Sequence, residues 1–165
     1  MKFRIDFVKL IVSLVVCFLA AAVGSFFTMP AISTWYATLT KPSFAPPNWV
    51  FGPVWTALYV LMAISLYIVW MEYDKAKFKK RDTIKPALTV FGVQLVLNAV
   101  WSFLFFGLKS PLYGLVGIVL LWLAIVWTMI KFWKISKKAT WLLVPYILWV
   151  SFATIVNFAV WLINP

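Results

Sequence analysis

The chain has 165 residues, of which 65% are apolar and 12% charged, with a net charge of +11. This balance, together with a mean hydropathy of +0.99, excludes an ordinary soluble domain and marks an integral membrane protein. With no His, a single cysteine (Cys17) and four acidic residues, the chain cannot build a Ser-His-Asp triad, a His-ligated zinc or haem iron, a CxxC redox pair or an internal disulfide.

A helix needs about 20 apolar residues to span a hydrocarbon core, and five stretches meet that length: roughly residues 10–28, 53–71, 86–108, 111–132 and 140–163. The expectation is an all-α membrane protein, one domain over residues 1–165 built as a five-transmembrane-helix bundle. The first stretch begins with a basic lead and passes through Ala20-Ala21-Ala22, as a cleaved signal would. Its apolar run continues through Phe26 and Phe27, so it is expected to persist as a span. Ser13, Cys17, Ala21 and Ser25 repeat every four residues there and form a small-residue packing seam.

Between the first and second spans lie residues 29–52, a proline-rich segment: five of the chain's nine prolines fall from Pro30 to Pro53. A segment so apolar and so restricted in φ is predicted to fold as a lid over a bundle mouth. Trp55 and Tyr59 follow, one turn apart at the start of the second span.

The third span carries Gln94, Asn98 and Trp101 along one face. An amide at membrane depth is either glue between helices or part of a ligand site, and the spacing leaves both open. The fourth span opens with Ser110 and Pro111, a cap and a first-turn proline, and its Gly114 to Gly117 region is a second small seam. In the fifth, Pro145, Trp149, Ala153, Asn157 and Trp161 form one stripe, with a notch at Ala153. Thr140 is the expected cap and Pro145 the expected kink. Pro53 and Pro86 are expected to start the second and third helices. Trp133, Trp141 and Trp161 suit an interfacial belt.

Thirteen of the fifteen Lys and Arg residues fall on one side of this topology: Lys2, Arg4 and Lys9, six between Glu72 and Lys85, and Lys131, Lys134, Lys137 and Lys138. Only Lys41 and Lys109 fall on the other. By the positive-inside rule the N-terminus is expected in the cytoplasm and the C-terminus outside. The basic residues then serve orientation and headgroup contact rather than nucleic-acid binding.

Three blocks in order, WYxxLxKPSxxPPxWVFGPVW (Trp35 to Trp55), QLxLNxxWSxxFFG (Gln94 to Gly107) and PYxxWxxFAxxxN (Pro145 to Asn157), resemble the translocator protein family, also called TspO/MBR, the tryptophan-rich sensory proteins or peripheral-type benzodiazepine receptors. The resemblance covers essentially all five helices. It implies a bundle, usually a homodimer, that binds porphyrin or haem and synthetic benzodiazepine-type ligands beneath the first loop, with no obligatory cofactor. Carried over onto this chain, the site residues are Tyr36, Pro47, Trp55, Asn98, Trp101, Trp149 and Ala153, with Lys41 at the mouth to meet a propionate. The function implied is tetrapyrrole binding, sensing or transport in the membrane. The alternative is light-dependent porphyrin degradation with Trp55 and Trp149 as the reacting residues. No metal ligand set is implied, and haem would rest on stacking or on weak ligation by Cys17, Met or Tyr.

Two departures from the family pattern bear on ligands. Phe158 stands where the animal cholesterol motif has Tyr, and no Lys or Arg follows it, so specific cholesterol binding is not expected. Phe44 stands where Trp is usual. A Lys-rich chain without the basic C-terminal tail of animal members is expected to be a bacterial homologue of the cell membrane.

Overall fold

The computed structural model describes residues 5–164, and at residues 78–80 the backbone alone. Lys2, Arg4 and Pro165, and the side chains of Lys79 and Lys80, lie outside the described residues. Helix α1 (Phe7–Ile32) opens on Asp6, whose carboxylate accepts the Lys9 backbone N–H at 3.1 Å. That hydrogen bond is the main reason the Asp6 pKa lies below the usual value. A short α2 (Trp35–Thr38) lies in the first connection, and α3 (Asn48–Lys75) returns. Helix α4 (Phe78–Ser102) continues as a π-helical turn over Phe103–Gly107. It is followed by α5 (Pro111–Trp133), α6 (Lys137–Leu142) and α7 (Val144–Ile163). Five of these units are long and apolar enough to cross a membrane, α6 and α7 together making the fifth. The protein is a five-helix membrane bundle.

Ser110 caps α5 as expected, accepting the Tyr113 N–H at 3.3 Å, with Pro111 as the first helical residue. Three other expected boundaries differ. Helices α3 and α4 begin at Asn48 and Phe78, upstream of Pro53 and Pro86; inside a bundle a single missing helix hydrogen bond is tolerated because neighbours and local adjustment compensate. The fifth span is capped by Ser136, which accepts the Ala139 N–H at 3.4 Å, and Thr140 lies inside α6 with its hydroxyl on the Ser136 carbonyl at 3.3 Å. Pro145 breaks this span instead of bending it. Its ring would clash with the carbonyl four residues back, so α6 stops at Leu142 and α7 restarts with Pro145 in its first turn.

The helices pack in a ring, α3 on α1, α1 on α4, α4 on α5 and α5 on α7, and α6 rather than α7 makes most of the contact that closes the ring onto α3. The closing contact is polar: Ser65 Oγ donates to the Ala139 carbonyl at 2.8 Å. This happens at the end that gathers Lys9, Asp74 and the α5 to α6 turn, called here the basic end. Both small-residue seams are used inside this ring. Ser13 and Cys17 are fully buried, Ala21 is half-buried and Ser25 exposed. A Cβ on Gly114 would lie 2.9 Å from Phe105 Cβ, and one on Gly117 would lie 2.8 Å from Leu104 Cδ1, so these glycines allow α5 to approach the end of α4.

Candidate ligand site

The third, fourth and fifth spans converge with the first connection at the opposite end, the loop end. The π turn decides what they bring. Wide-turn bonds run from the Leu108 N–H to the Phe103 carbonyl at 2.8 Å and from the Ser110 N–H to the Phe105 carbonyl at 3.2 Å. The extra residue in the turn lets both Phe105 and Phe106 point inward, where they are 4% and 5% exposed. Lys109 then adopts φ 52°, a left-handed conformation that reverses the chain into α5.

Onto these rings folds the connection. Tyr36, only 3% exposed, meets Phe51, Phe105 and Phe106 edge to face at 6.4, 6.1 and 5.7 Å. Burial raises its hydroxyl pKa. Lys41 places its ammonium 4.8 Å from the centre of the Tyr36 ring. The Asn164 side chain holds the segment from the other side, accepting the Thr40 N–H at 3.0 Å and donating to the Thr40 carbonyl at 2.9 Å.

Two small cavities lie beneath. One, of about 40 Å³, sits between the connection, the π turn and α7, with Tyr36, Trp101, Trp149, Ala153 and Asn157 in its wall. The other, of about 60 Å³, sits between α1, α3 and α4, with Thr28, Trp55, Tyr59, Asn98 and Ser102 in its wall. Phe51, Trp101 and Phe106 belong to both. Trp101 is the centre of a stack, 6.4 Å and 30° from Trp55 on one side and 5.8 Å and 24° from Phe105 on the other.

Of the seven residues singled out in the sequence, Tyr36, Trp101, Trp149 and Ala153 therefore line the first cavity, and Trp55, Asn98 and again Trp101 the second. Pro47 lines neither; it is exposed, at the start of α3, and Pro46 takes the place beside Tyr36. Sequence reasoning did not single out Phe51, Phe105, Phe106, Phe152, Val156 or Val160 in the wall. The Phe105-Phe106-Gly107 run was a signal, but a π turn has no sequence signature that would aim both rings inward.

Asn98 is engaged in hydrogen bonds between helices. The Tyr59 hydroxyl donates to Asn98 Oδ1 at 2.5 Å, Asn98 Nδ2 donates to the Tyr146 oxygen at 2.8 Å, and the Tyr146 hydroxyl donates to Gln94 Oε1 at 2.9 Å. This chain ties α3, α4 and α7 together across the bundle. Asn98 acts as glue and reaches the second cavity with what remains. The Trp101 indole N–H reaches Asn157 Oδ1 at 3.5 Å, and Asn157 Nδ2 donates to the Pro111 carbonyl at 2.8 Å. The indole N–H of Trp149, by contrast, is buried without a hydrogen-bond partner. Cys17 lines neither cavity, and no cluster of metal-binding side chains exists among the described residues.

The model of the TspO/MBR family matches residues 13–162 of this sequence. The chain belongs to the TspO/MBR family. It is 45% identical over 153 residues to the tryptophan-rich protein TspO of Chlorobaculum tepidum, covering 90% of this chain and 91% of that one. It is 44% identical over 159 residues to the tryptophan-rich protein TspO of Archaeoglobus fulgidus, covering 96% and 99%. Against the translocator protein of Homo sapiens the identity is 38% over 143 residues, covering 87% of this chain and 82% of the human one. The family match takes in every residue that lines the two cavities.

Proposed function

We propose that the chain is a multi-pass membrane receptor for a flat, largely apolar tetrapyrrole, held in the aromatic chamber beneath the first connection and sensed or passed on from there. The observation that carries this reading is the pair of cavities meeting at Trp101, with ring faces of Trp55 and Phe105 on either side. Flat aromatic walls favour a flat ligand, and no charged side chain lines either cavity, so the buried part of that ligand is neutral. The lining suits the ligand; the volume does not yet. Pockets that enclose such molecules measure about 300–1,000 Å³, so binding requires the rings and the connection to move apart. The name of the human relative, translocator protein, supports a role in moving a ligand.

The unpartnered Trp149 indole beside the cavity favours a second reading, light-dependent degradation of bound porphyrin at Trp55 and Trp149. Illuminating the purified protein with protoporphyrin decides between them. A receptor leaves the Soret absorption intact, and a degrading enzyme converts it to a new product. Absence of any protoporphyrin binding overturns both.

On this reading the basic end faces the cytoplasm. A cysteine introduced by Lys109→Cys is then labelled from outside the cell and one introduced by Lys134→Cys is not. Pairing of two copies would use the exposed groove between α1 and α4, because most of each small-residue seam is taken up inside one chain.

A further inference from the structure

Trp149 and Phe152 line two spaces at once. On one side lies the chamber beneath the connection; on the other lies a groove of about 570 Å³ between α3 and α7, walled by Val54, Ala57 and Leu61 on α3 and by Pro145 and Leu148 on α7. The groove exists because the ring of helices closes through α6. Ser65 and Ala139 clasp the basic end, and above that clasp α7 stands away from α3. Its rim is exposed and apolar, with Leu148 64% exposed and Ala57 too small to fill the gap, so in a membrane it opens onto lipid tails.

A second apolar groove, of about 610 Å³ between α1 and α4, shares no residue with either cavity. Of these two grooves, the one between α3 and α7 abuts the chamber.

We propose that the ligand reaches the chamber sideways, from the bilayer through the groove between α3 and α7, with Trp149 and Phe152 as the gate. This rests on the tetrapyrrole reading and adds the route. Opening the gate breaks no hydrogen bond, because the Trp149 N–H has no partner. Opening the connection instead means releasing both Asn164 bonds to Thr40, lifting Lys41 from Tyr36 and withdrawing Tyr36 from three rings. The partner that fits is a planar apolar molecule already dissolved in the membrane.

The test is the rate of exchange of protoporphyrin between phosphatidylcholine vesicles and the reconstituted protein, followed by porphyrin fluorescence. Ala57→Trp fills the groove without touching the chamber, and Leu148→Trp fills it from the other wall should the first variant fail to fold. The expected result is that association and dissociation both slow by about tenfold, equal to ~1.4 kcal/mol of added barrier, while the dissociation constant is unchanged. Asn164→Ala, which frees the connection, is expected to leave both rates within about twofold of wild type, less than half the barrier change of the groove variants. Unchanged rates in the groove variants, or faster exchange in Asn164→Ala, overturn the lateral route. Failure of the wild-type protein to bind protoporphyrin removes the functional reading itself and this route with it.

Discussion

The two ends of the bundle are made of the same kinds of residue and are packed in opposite ways. Toward the basic end, Phe91 and Phe132 lie face to face at 5.6 Å and 5°, each at most 1% exposed, among Ile84, Leu121, Ile125 and Leu143, which are equally buried. At the loop end, Tyr36, Phe51, Trp101, Phe105, Phe106 and Trp149 meet mostly edge to face and leave two cavities between them. Lipid removes the usual reason for burial, since the bilayer is as apolar as a leucine. What holds helices together there is contact density and satisfied polar groups. A region that gives up contact density has been shaped for something other than stability.

That contrast breaks most visibly at a ring. Phe91→Ala removes a side chain from a filled space, and cavity cost alone predicts a loss of about 2 kcal/mol. Phe152→Ala removes the same atoms from a half-buried wall between a cavity and a groove, and is expected to cost less than half as much. Thermal unfolding of both variants in one detergent checks the difference. Equal losses would mean that the loop end is packed as tightly as the other.

Ala153→Leu is the complementary insertion. Ala153 lines the chamber, so the added branch is expected to obstruct the ligand and weaken protoporphyrin binding by about tenfold to a hundredfold, the equivalent of ~1 to 3 kcal/mol of overpacking. The melting temperature without ligand should hardly move. Unchanged affinity with lost stability would show that Ala153 is small for the sake of a neighbouring helix.

Between the two ends runs the hydrogen-bonded chain of Tyr59, Asn98, Tyr146 and Gln94. Asn98→Leu is expected to destabilise by ~1 kcal/mol, because hydrogen bonds between membrane helices average below that and the tyrosines are left with one partner fewer. Adding Tyr59→Phe to Asn98→Leu should cost little more, since the hydroxyl it removes has already lost its acceptor. Measured additivity would break the chain as a unit.

Much of this architecture was legible in the sequence, and the rest failed for identifiable reasons. Length and hydropathy are enough to count spans, because each must cross one fixed thickness. The stripe of Trp149, Ala153 and Asn157 was visible because four-residue spacing places side chains on one face. Helix starts at Pro53 and Pro86 were misplaced because proline rules learnt in water are relaxed inside a bundle. The break at Leu143 was read as a kink, since a proline signals interruption without saying how much chain gives way. The small-residue seams were legible as packing faces, but spacing alone carries no information on which helix will fill them. Pro46 and Pro47 differ by one place in a segment without periodicity, so nothing in the pattern aims one inward.

The smallest effect sharpens the comparison most, because it concerns a single N–H. Trp122 and Trp149 are both partly buried indoles, on α5 and α7. The Trp122 N–H donates to Ser151 Oγ at 2.8 Å, whereas the Trp149 N–H has no partner. Replacing either by Phe removes one pyrrole ring's worth of contact, so the packing losses are similar and cancel in the difference. What remains is the hydrogen bond: Trp122→Phe gives up a satisfied donor, and Trp149→Phe relieves an unsatisfied one, whose burial is itself unfavourable. Trp122→Phe is therefore expected to be the less stable variant by ~1 kcal/mol, with Trp149→Phe close to wild type. A ligand acceptor facing the chamber reverses the order for binding, since only Trp149→Phe then loses affinity. Equal stabilities in the absence of ligand would mean that the Trp149 indole finds a partner in the membrane, and a lone donor could no longer be used to mark this wall as the place where something docks.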